Sequence, residues 1–313
     1  MSEQAADPGG VPGYAYPPRV VPDYDAQAQR IAAVLQEAWD RVETEKERLF
    51  ALVEGDARWP RIRARLEEYQ AEVRRFQQVA EDQAAHLVTL VTGQYANGMV
   101  LASVTAGYAV SWTPAHQQVV ALLAADTYSD LLERSYEAGR ASDRLVRTIR
   151  RVAREEMPFQ ATGGKTARDV GRAMRERLEH EFRIGTVTYR DGSIHSIREY
   201  TEMLARTKGR VAQNSGSVNA YYEIGIEYLE VFDGGTCGWV SHEDVDKANG
   251  TIRTIDACAA QLLSHPNCRR TFGPRPDVTA ANAKTAKPLQ DLQPYIDEAY
   301  EQAILEGASR AGL

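Results

Sequence analysis

From Gln83 to Ala125 the sequence runs 43 residues without a single Asp, Glu, Lys or Arg. In water so long an uncharged stretch has to be buried; otherwise it has to enter a bilayer. Thr89, Thr92, Gln94, Asn97, Ser103, Thr105 and Ser111 interrupt it, as do Gly93, Gly98 and Gly107, so no clean apolar run of twenty residues forms. The spacing favours a buried helical hairpin, with Thr113 as N-cap and Pro114 at the first position of the following helix. The alternative is a segment that enters a membrane after a conformational change.

The flanks of this stretch are helical and heavily charged. Ile31, Leu35, Ala38, Val42, Leu49 and Leu52 recur at helical steps. After a break at Gly55 to Pro60, Ile62, Leu66, Tyr69, Val73, Phe76 and Ala80 keep a 4-3-4-3-4 seam. Two antiparallel helices or one broken rod are expected. Beyond Pro114 the helix continues to about Glu156, with Arg140, Arg144, Arg147, Arg151 and Arg154 spaced to share one side while Leu145, Ile149 and Val152 occupy another. Arg168, Arg172 and Arg175 repeat the spacing after a break at Pro158, Gly163 and Gly164. The chain is acidic, at net charge -7, and holds 31 Arg against 6 Lys, of which 11 Arg fall between Arg140 and Arg183. Any contact with nucleic acid must therefore be local. Two readings of the ridge stand at this point: a surface for phosphates or an acidic protein partner, or a solvated helix face balanced by Asp143, Glu155 and Glu156.

After Glu179 the period changes to that of strands. Thr186 to Arg190, the turn dipeptide Asp191-Gly192 and Ser193 to Ile197 predict a β-hairpin. Ser196 then caps a helix through Val211, followed by a short helix over Val218 to Glu223, a left-handed Gly225 and a strand from Ile226 to Phe232. Gly234 to Val278 reads as loops pinned by Cys, His and Pro, and Leu289 to Leu313 as a terminal amphipathic helix. The fold class is thus mainly α with a smaller α+β part: an elongated helical bundle followed by a hairpin-containing domain. The expected divisions are a Pro/Gly-rich arm at 1–25, with no charged leader and apolar stretch, a helical domain at 26–157, an α+β domain at 158–278 and a helix and tail at 279–313.

Chemical motifs are sparse. Gly163-Gly164-Lys165-Thr166 is not a phosphate-binding loop, because Phe159 stands where that loop needs glycine and a helix stands where it needs a strand. Gly163 and Gly164 end one helix, and Thr166 caps the next. No nucleophile elbow or paired-carboxylate motif is present, so no enzyme is expected. Three cysteines in a chain this long predict no disulfide scaffold. Cys237, His242, His265 and Cys268 supply two short chelating pieces for a tetrahedral zinc. Equally, Cys237 and Cys268 are small core hydrophobes beside exposed histidines.

The residues Tyr189-Arg190-Asp191-Gly192, Tyr200, Met203, Arg206-Thr207, Cys237 and His265-Pro266-Asn267-Cys268-Arg269-Arg270 occur in an order that resembles the C-terminal domain of phage minor capsid proteins related to protein F of phage Mu, the MuF-like or phage head morphogenesis family. The resemblance covers about the last 130 residues. Val240 stands where that family commonly has a second cysteine, and His242 is the substitute within reach. The resemblance implies a structural protein of the virion head, assembled in the bacterial cytoplasm. It would be bound near the portal vertex and would assist head assembly, DNA packaging or ejection. Its partners would be the portal protein, with the major capsid protein and packaged DNA as further ones. The alternatives are a zinc-dependent nuclease using the His265 to Cys268 loop and an ejected protein that meets the host membrane through Gln83 to Ala125.

Overall fold

The structure, a computed structural model, describes residues 21, 23–55, 59–162, 166–181, 187–188, 194–233 and 248–289. It is mainly helical with small antiparallel sheets, as the sequence patterns require. The elements are α1 (Tyr24–Gly55), α2 (Trp59–Ala106), α3 (Pro114–Thr162), α4 (Ala167–Glu181), β1 (Val187–Thr188), β2 (Ile194–His195), α5 (Ile197–Glu223), β3 (Tyr228–Phe232), β4 (Ile252–Thr254), α6 (Ile255–Ala260) and β5 (Thr271–Pro274). They form two compact units that do not follow chain order. One unit gathers 1–28, 86–128 and 202–313, and the other 29–85 and 129–201.

In the second of these units the seams of α1 and α2 are the core. Leu35, Val42 and Leu49 of α1 and Ile62, Leu66 and Tyr69 of α2 are buried, and Trp39 meets Phe76 edge to face at 5.0 Å. Leu52 is only half-buried; its neighbour Val53 takes the core position. Leu145, Ile149 and Val152 of α3 complete the apolar centre. Helix α4 is capped by Thr166, whose hydroxyl accepts from Asp169 N at 3.2 Å while Asp169 Oδ2 accepts from Thr166 N at 3.1 Å. Its Gly171 lies against the end of α1, where an added Cβ would stand 2.2 Å from the Val53 carbonyl oxygen. Ser196 caps α5 through the same reciprocal pattern with Glu199, and these hydrogen bonds hold the Glu199 carboxyl below its usual range. β1 and β2 pair antiparallel, Val187 with His195 and Thr188 with Ile194; their Asp191-Gly192 turn lies outside the described residues.

The other unit corrects three expectations. First, the uncharged stretch is helical on both sides of residues 107–113, but its first arm is the continuation of α2, which runs unbroken for 48 residues. Second, α5 is a single helix and does not break before Val218. Both corrections have one cause. An added Cβ on Gly98 would meet the Gln213 carbonyl oxygen at 1.9 Å, and one on Gly216 would meet the Tyr95 carbonyl oxygen at 2.1 Å. Ser217 Oγ donates to the Gly98 carbonyl at 3.0 Å. Close backbone contact between α2 and α5 thus uses the glycines that mark breaks in an isolated sequence. Third, Thr113 does not cap α3 through its side chain: its hydroxyl donates to Glu223 Oε1 at 2.9 Å, and its carbonyl accepts from Gln117 N.

A three-stranded sheet of order β4-β3-β5, antiparallel throughout, covers part of the region expected to be loops. Leu229, Val231, Phe272, Ile255 and Cys258 form its core with Ala102, Val218 and Tyr221. Gly225 precedes β3 at a φ of 77°, as expected. At the start of the chain α1 already begins at Tyr24, and Val21 N donates to Asn97 Oδ1 at 3.1 Å, so the end of the expected arm is anchored. Residues 1–20 and the terminal helix expected beyond Leu289 lie outside the described residues. Helix α2 is long and apolar enough to cross a membrane, and 72% of its most apolar window is buried within the protein.

Candidate functional site

Helix α3 presents its arginines as the 3.6-residue period requires. Arg140, Arg144, Arg147, Arg151 and Arg154 are all exposed, while Leu145, Ile149 and Val152 turn inward. From Arg140 to Arg154 the row is about 21 Å long at the helical rise. Arg150 is exposed on the flank of the row. What separates this face from an ordinary charged helix is its pairing. Among the described residues Arg140, Arg144, Arg147 and Arg154 make no ion pair or hydrogen bond, whereas Arg151 and Glu155 have partners. Asp143 stands on the same exposed side and bonds to none of them.

The arginines of α1 and α2 in the same unit behave differently. Arg41 pairs with Glu37 at 3.0 Å, Arg48 with Glu45 at 2.5 Å, Arg63 with Glu67 at 3.1 Å, Arg65 with Glu45 at 3.0 Å, and Arg75 with Glu72. Most of these partners sit three or four residues away, the spacing that neutralises a helix face locally. On α3 carboxylates stand at these spacings too, but Glu137 is taken by Arg134 at 2.7 Å, and Asp143, three residues from Arg140 and four from Arg147, pairs with neither among the described residues.

At the head of the row a cleft of about 310 Å³ opens between α2 and α3. Gln70, Arg74 and Gln77 line it from α2, and Tyr136, Arg140 and Asp143 from α3. Sequence periodicity did not single out Arg74 or Tyr136, because the cleft exists only where two helices distant in sequence lie side by side. The signal that was available is Tyr136 itself, four residues before Arg140 and thus in line with the ridge.

The second arginine group is not a single face. Arg168 and Arg172 are exposed on α4, but Arg175 Nη1 pairs with Glu54 Oε2 at 2.6 Å and anchors α4 to α1.

The Cys/His set is described only in part. Cys237 and His242 lie outside the described residues. Cys268 is buried and in no disulfide, and His265 Nδ1 lies 2.7 Å from the Pro266 carbonyl oxygen. Among the described residues no group of three or more His, Cys, Asp or Glu is placed to hold a metal. Cys258 is likewise a buried free thiol, and burial pushes it up to about 12.

The motif residues do meet in space. Asn267 has a φ of 64° and closes the turn after His265; its side-chain oxygen accepts from Arg206 Nε at 3.0 Å, and its backbone N donates to Thr207 Oγ1 at 3.3 Å. Arg270, fully buried, grips Asp233 in two-pronged geometry at 2.7 and 3.0 Å. Asn214 on α5 donates to the Arg270 carbonyl at 2.9 Å. Arg275, also buried, pairs with Glu230 at 2.8 Å and with Asp277 at 2.8 Å. In this region the polar motif residues fasten the sheet to α5.

One further polar cluster is buried. His116 is 1% exposed and stacks on Trp112; its Nδ1 lies 2.6 Å from the Tyr95 hydroxyl and its Nε2 3.1 Å from Glu223 Oε1, an ion-pair distance without hydrogen-bond alignment. Asn219 Nδ2 donates to the same Tyr95 hydroxyl at 2.9 Å. Both imidazole nitrogens face protein groups, so neither is presented to a substrate.

No protein-family model, no curated protein and no solved structure matches this chain.

Proposed function

We propose that this chain is a non-enzymatic structural protein of a virion head, bound near the portal vertex as its resemblance to head morphogenesis proteins implies, and that the α3 ridge is its contact with nucleic-acid phosphates. The observation that carries the contact is that Arg140, Arg144, Arg147 and Arg154 are exposed and have no carboxylate partner among the described residues, beside helices most of whose arginines are paired. A guanidinium row of this kind suits two-pronged contact with phosphate oxygens. The unusually regular register, one arginine per helical turn, favours a linear polyanion over a folded acidic surface.

The test uses the full chain and a fluorescent duplex titrated with salt. Binding whose logarithm falls with log salt at a slope of about −3 to −5 is expected for four or five phosphate contacts. Replacing Arg144, Arg147 and Arg154 by Gln should flatten the slope by about 2.7 and weaken binding by roughly 10²-fold near 0.1 M salt. Unchanged binding in that variant makes the ridge a solvated face. Placement at the portal is tested separately by the protein's position and stoichiometry in intact particles; absence from the portal vertex would remove that part of the proposal.

A further inference from the structure

We infer that the cleft at the head of the ridge is a pocket for one unpaired nucleotide, so that the protein prefers single-stranded over duplex nucleic acid. The inference rests on the proposed phosphate contact of α3 and adds to it the class of ligand. Four observations carry it. The cleft is continuous with the ridge through Arg140, which belongs to both. Its two guanidiniums, Arg74 and Arg140, make no ion pair or hydrogen bond among the described residues, although most other arginines of α1 and α2 are neutralised. Tyr136 lies on its wall, 45% exposed and in line with the arginines. Finally, Gly139 lets the Gln77 amide lie directly against α3 in the cleft, since a Cβ there would stand 2.3 Å from Gln77 Nε2.

These groups match the parts of a nucleotide. An exposed aromatic ring offers a stacking platform that accepts any base. Two unpaired guanidiniums grip a phosphate, and the amides of Gln70 and Gln77 offer donors and acceptors to a base edge. Asp143 is the single carboxylate of the lining, which leaves the cleft with two positive groups against one negative. The volume lies at the low end of the ~300–1,000 Å³ typical of small-ligand sites, enough for one residue of a strand while the rest follows the ridge. A duplex keeps its bases stacked, and only its phosphates would reach the arginines.

The experiment measures anisotropy of a labelled single-stranded 12-mer and a labelled 20-base-pair duplex with the full chain. Tyr136→Ala should weaken the single strand by about 10-fold and leave the duplex within about 2-fold, because one stacked base is lost. Tyr136→Phe should retain single-strand affinity. Gly139→Ala, which places a better helix former on α3 and a methyl group where the Gln77 amide lies, should displace that amide and weaken the single strand without unfolding the protein. Equal loss on both probes, or no loss on either, overturns the pocket. Displacement of both probes by poly-aspartate at equal charge concentration also overturns it, since the cleft would then be a generic anion site. If Arg144, Arg147 and Arg154 can be replaced without effect on the duplex, the proposed ridge contact has failed; if only the Tyr136 and Gly139 variants are silent, the ridge stands and the pocket alone has failed.

Discussion

Arg270 and Arg275 are among the most buried side chains of the protein, each locked to carboxylates, while Arg140, Arg144, Arg147 and Arg154 stand in solvent with none. The same residue type does opposite physical work in the two units. In the sheet-bearing unit a guanidinium is desolvated, and its cost is offset only because Asp233 or Glu230 meets it in good geometry. Such a residue is structural, since its charge is fully used inside the fold. At these four α3 positions the charge is kept in water and is available to a partner outside the chain. Pairing, more than exposure or count, separates a clamp from a contact surface.

The strongest way to break this comparison is to remove one side of a clamp. Asp233→Ala leaves the Arg270 guanidinium buried without its partner, and a loss of about 3–5 kcal/mol of unfolding free energy is expected by denaturant titration. Where the variant still folds, its salt-dependent binding of nucleic acid should be unchanged, because the ridge lies in the other unit. The ridge variant should show the reverse: a large loss of binding and a stability within about 0.5 kcal/mol of the wild type. If Asp233→Ala abolished binding while folded, or the ridge variant unfolded the chain, the division of labour between the two arginine sets would be wrong.

The ridge was legible in the sequence because exposure alone generates its 4-3-4-3 spacing, and the seams of α1 and α2 were legible for the complementary reason. Capping at Thr166 and Ser196 was legible because it is local. What failed to show was whatever depends on a partner distant in sequence. Gly98 and Gly216 look like helix breaks until each is seen to admit the other helix's backbone. β4 and β5 are too short and too irregular in burial to alternate visibly. Arg175 shares the spacing of Arg168 and Arg172, yet Glu54, far back in the chain, takes its charge. Arg74 belongs to the cleft only because α2 and α3 lie side by side. The buried clamps were invisible for the same reason, since Asp233 and Arg270 are separated by 37 residues.

Alkali should weaken both units, the sheet-bearing one more. Burial raises the phenols of Tyr24, Tyr95 and Tyr221 above the usual value of 10 and pushes the Cys258 thiol from 9 to about 12. All four belong to the sheet-bearing unit, and burial raises Tyr69 of the other unit to about 12. In each case the unfolded chain loses its proton first, so the native state binds more protons and stability falls as pH rises. The decline should begin near pH 9, where unfolded Cys258 ionises, and continue toward pH 12. A flat melting temperature from pH 8 to 11 would mean that these groups are not buried as described.

The smallest expected effect decides whether arrangement or mere charge matters. Replacing Glu37, Glu67 and Glu72 by Gln frees Arg41, Arg63 and Arg75 of their neighbours. These are exposed helix pairs, so the cost should total about 1 kcal/mol. Combined with Gln at Arg144, Arg147 and Arg154, the sixfold variant carries the formal net charge of −7 that the wild type has. Only the address of the unpaired arginines differs: they are scattered over α1 and α2, where no single face lines them up at one per turn. Because phosphate contacts require charges in register along one surface, the freed arginines should recover no more than about 2-fold of the affinity lost from the ridge. Full recovery would show that any three unpaired guanidiniums suffice, and the geometry of α3 would then have no special part in the contact.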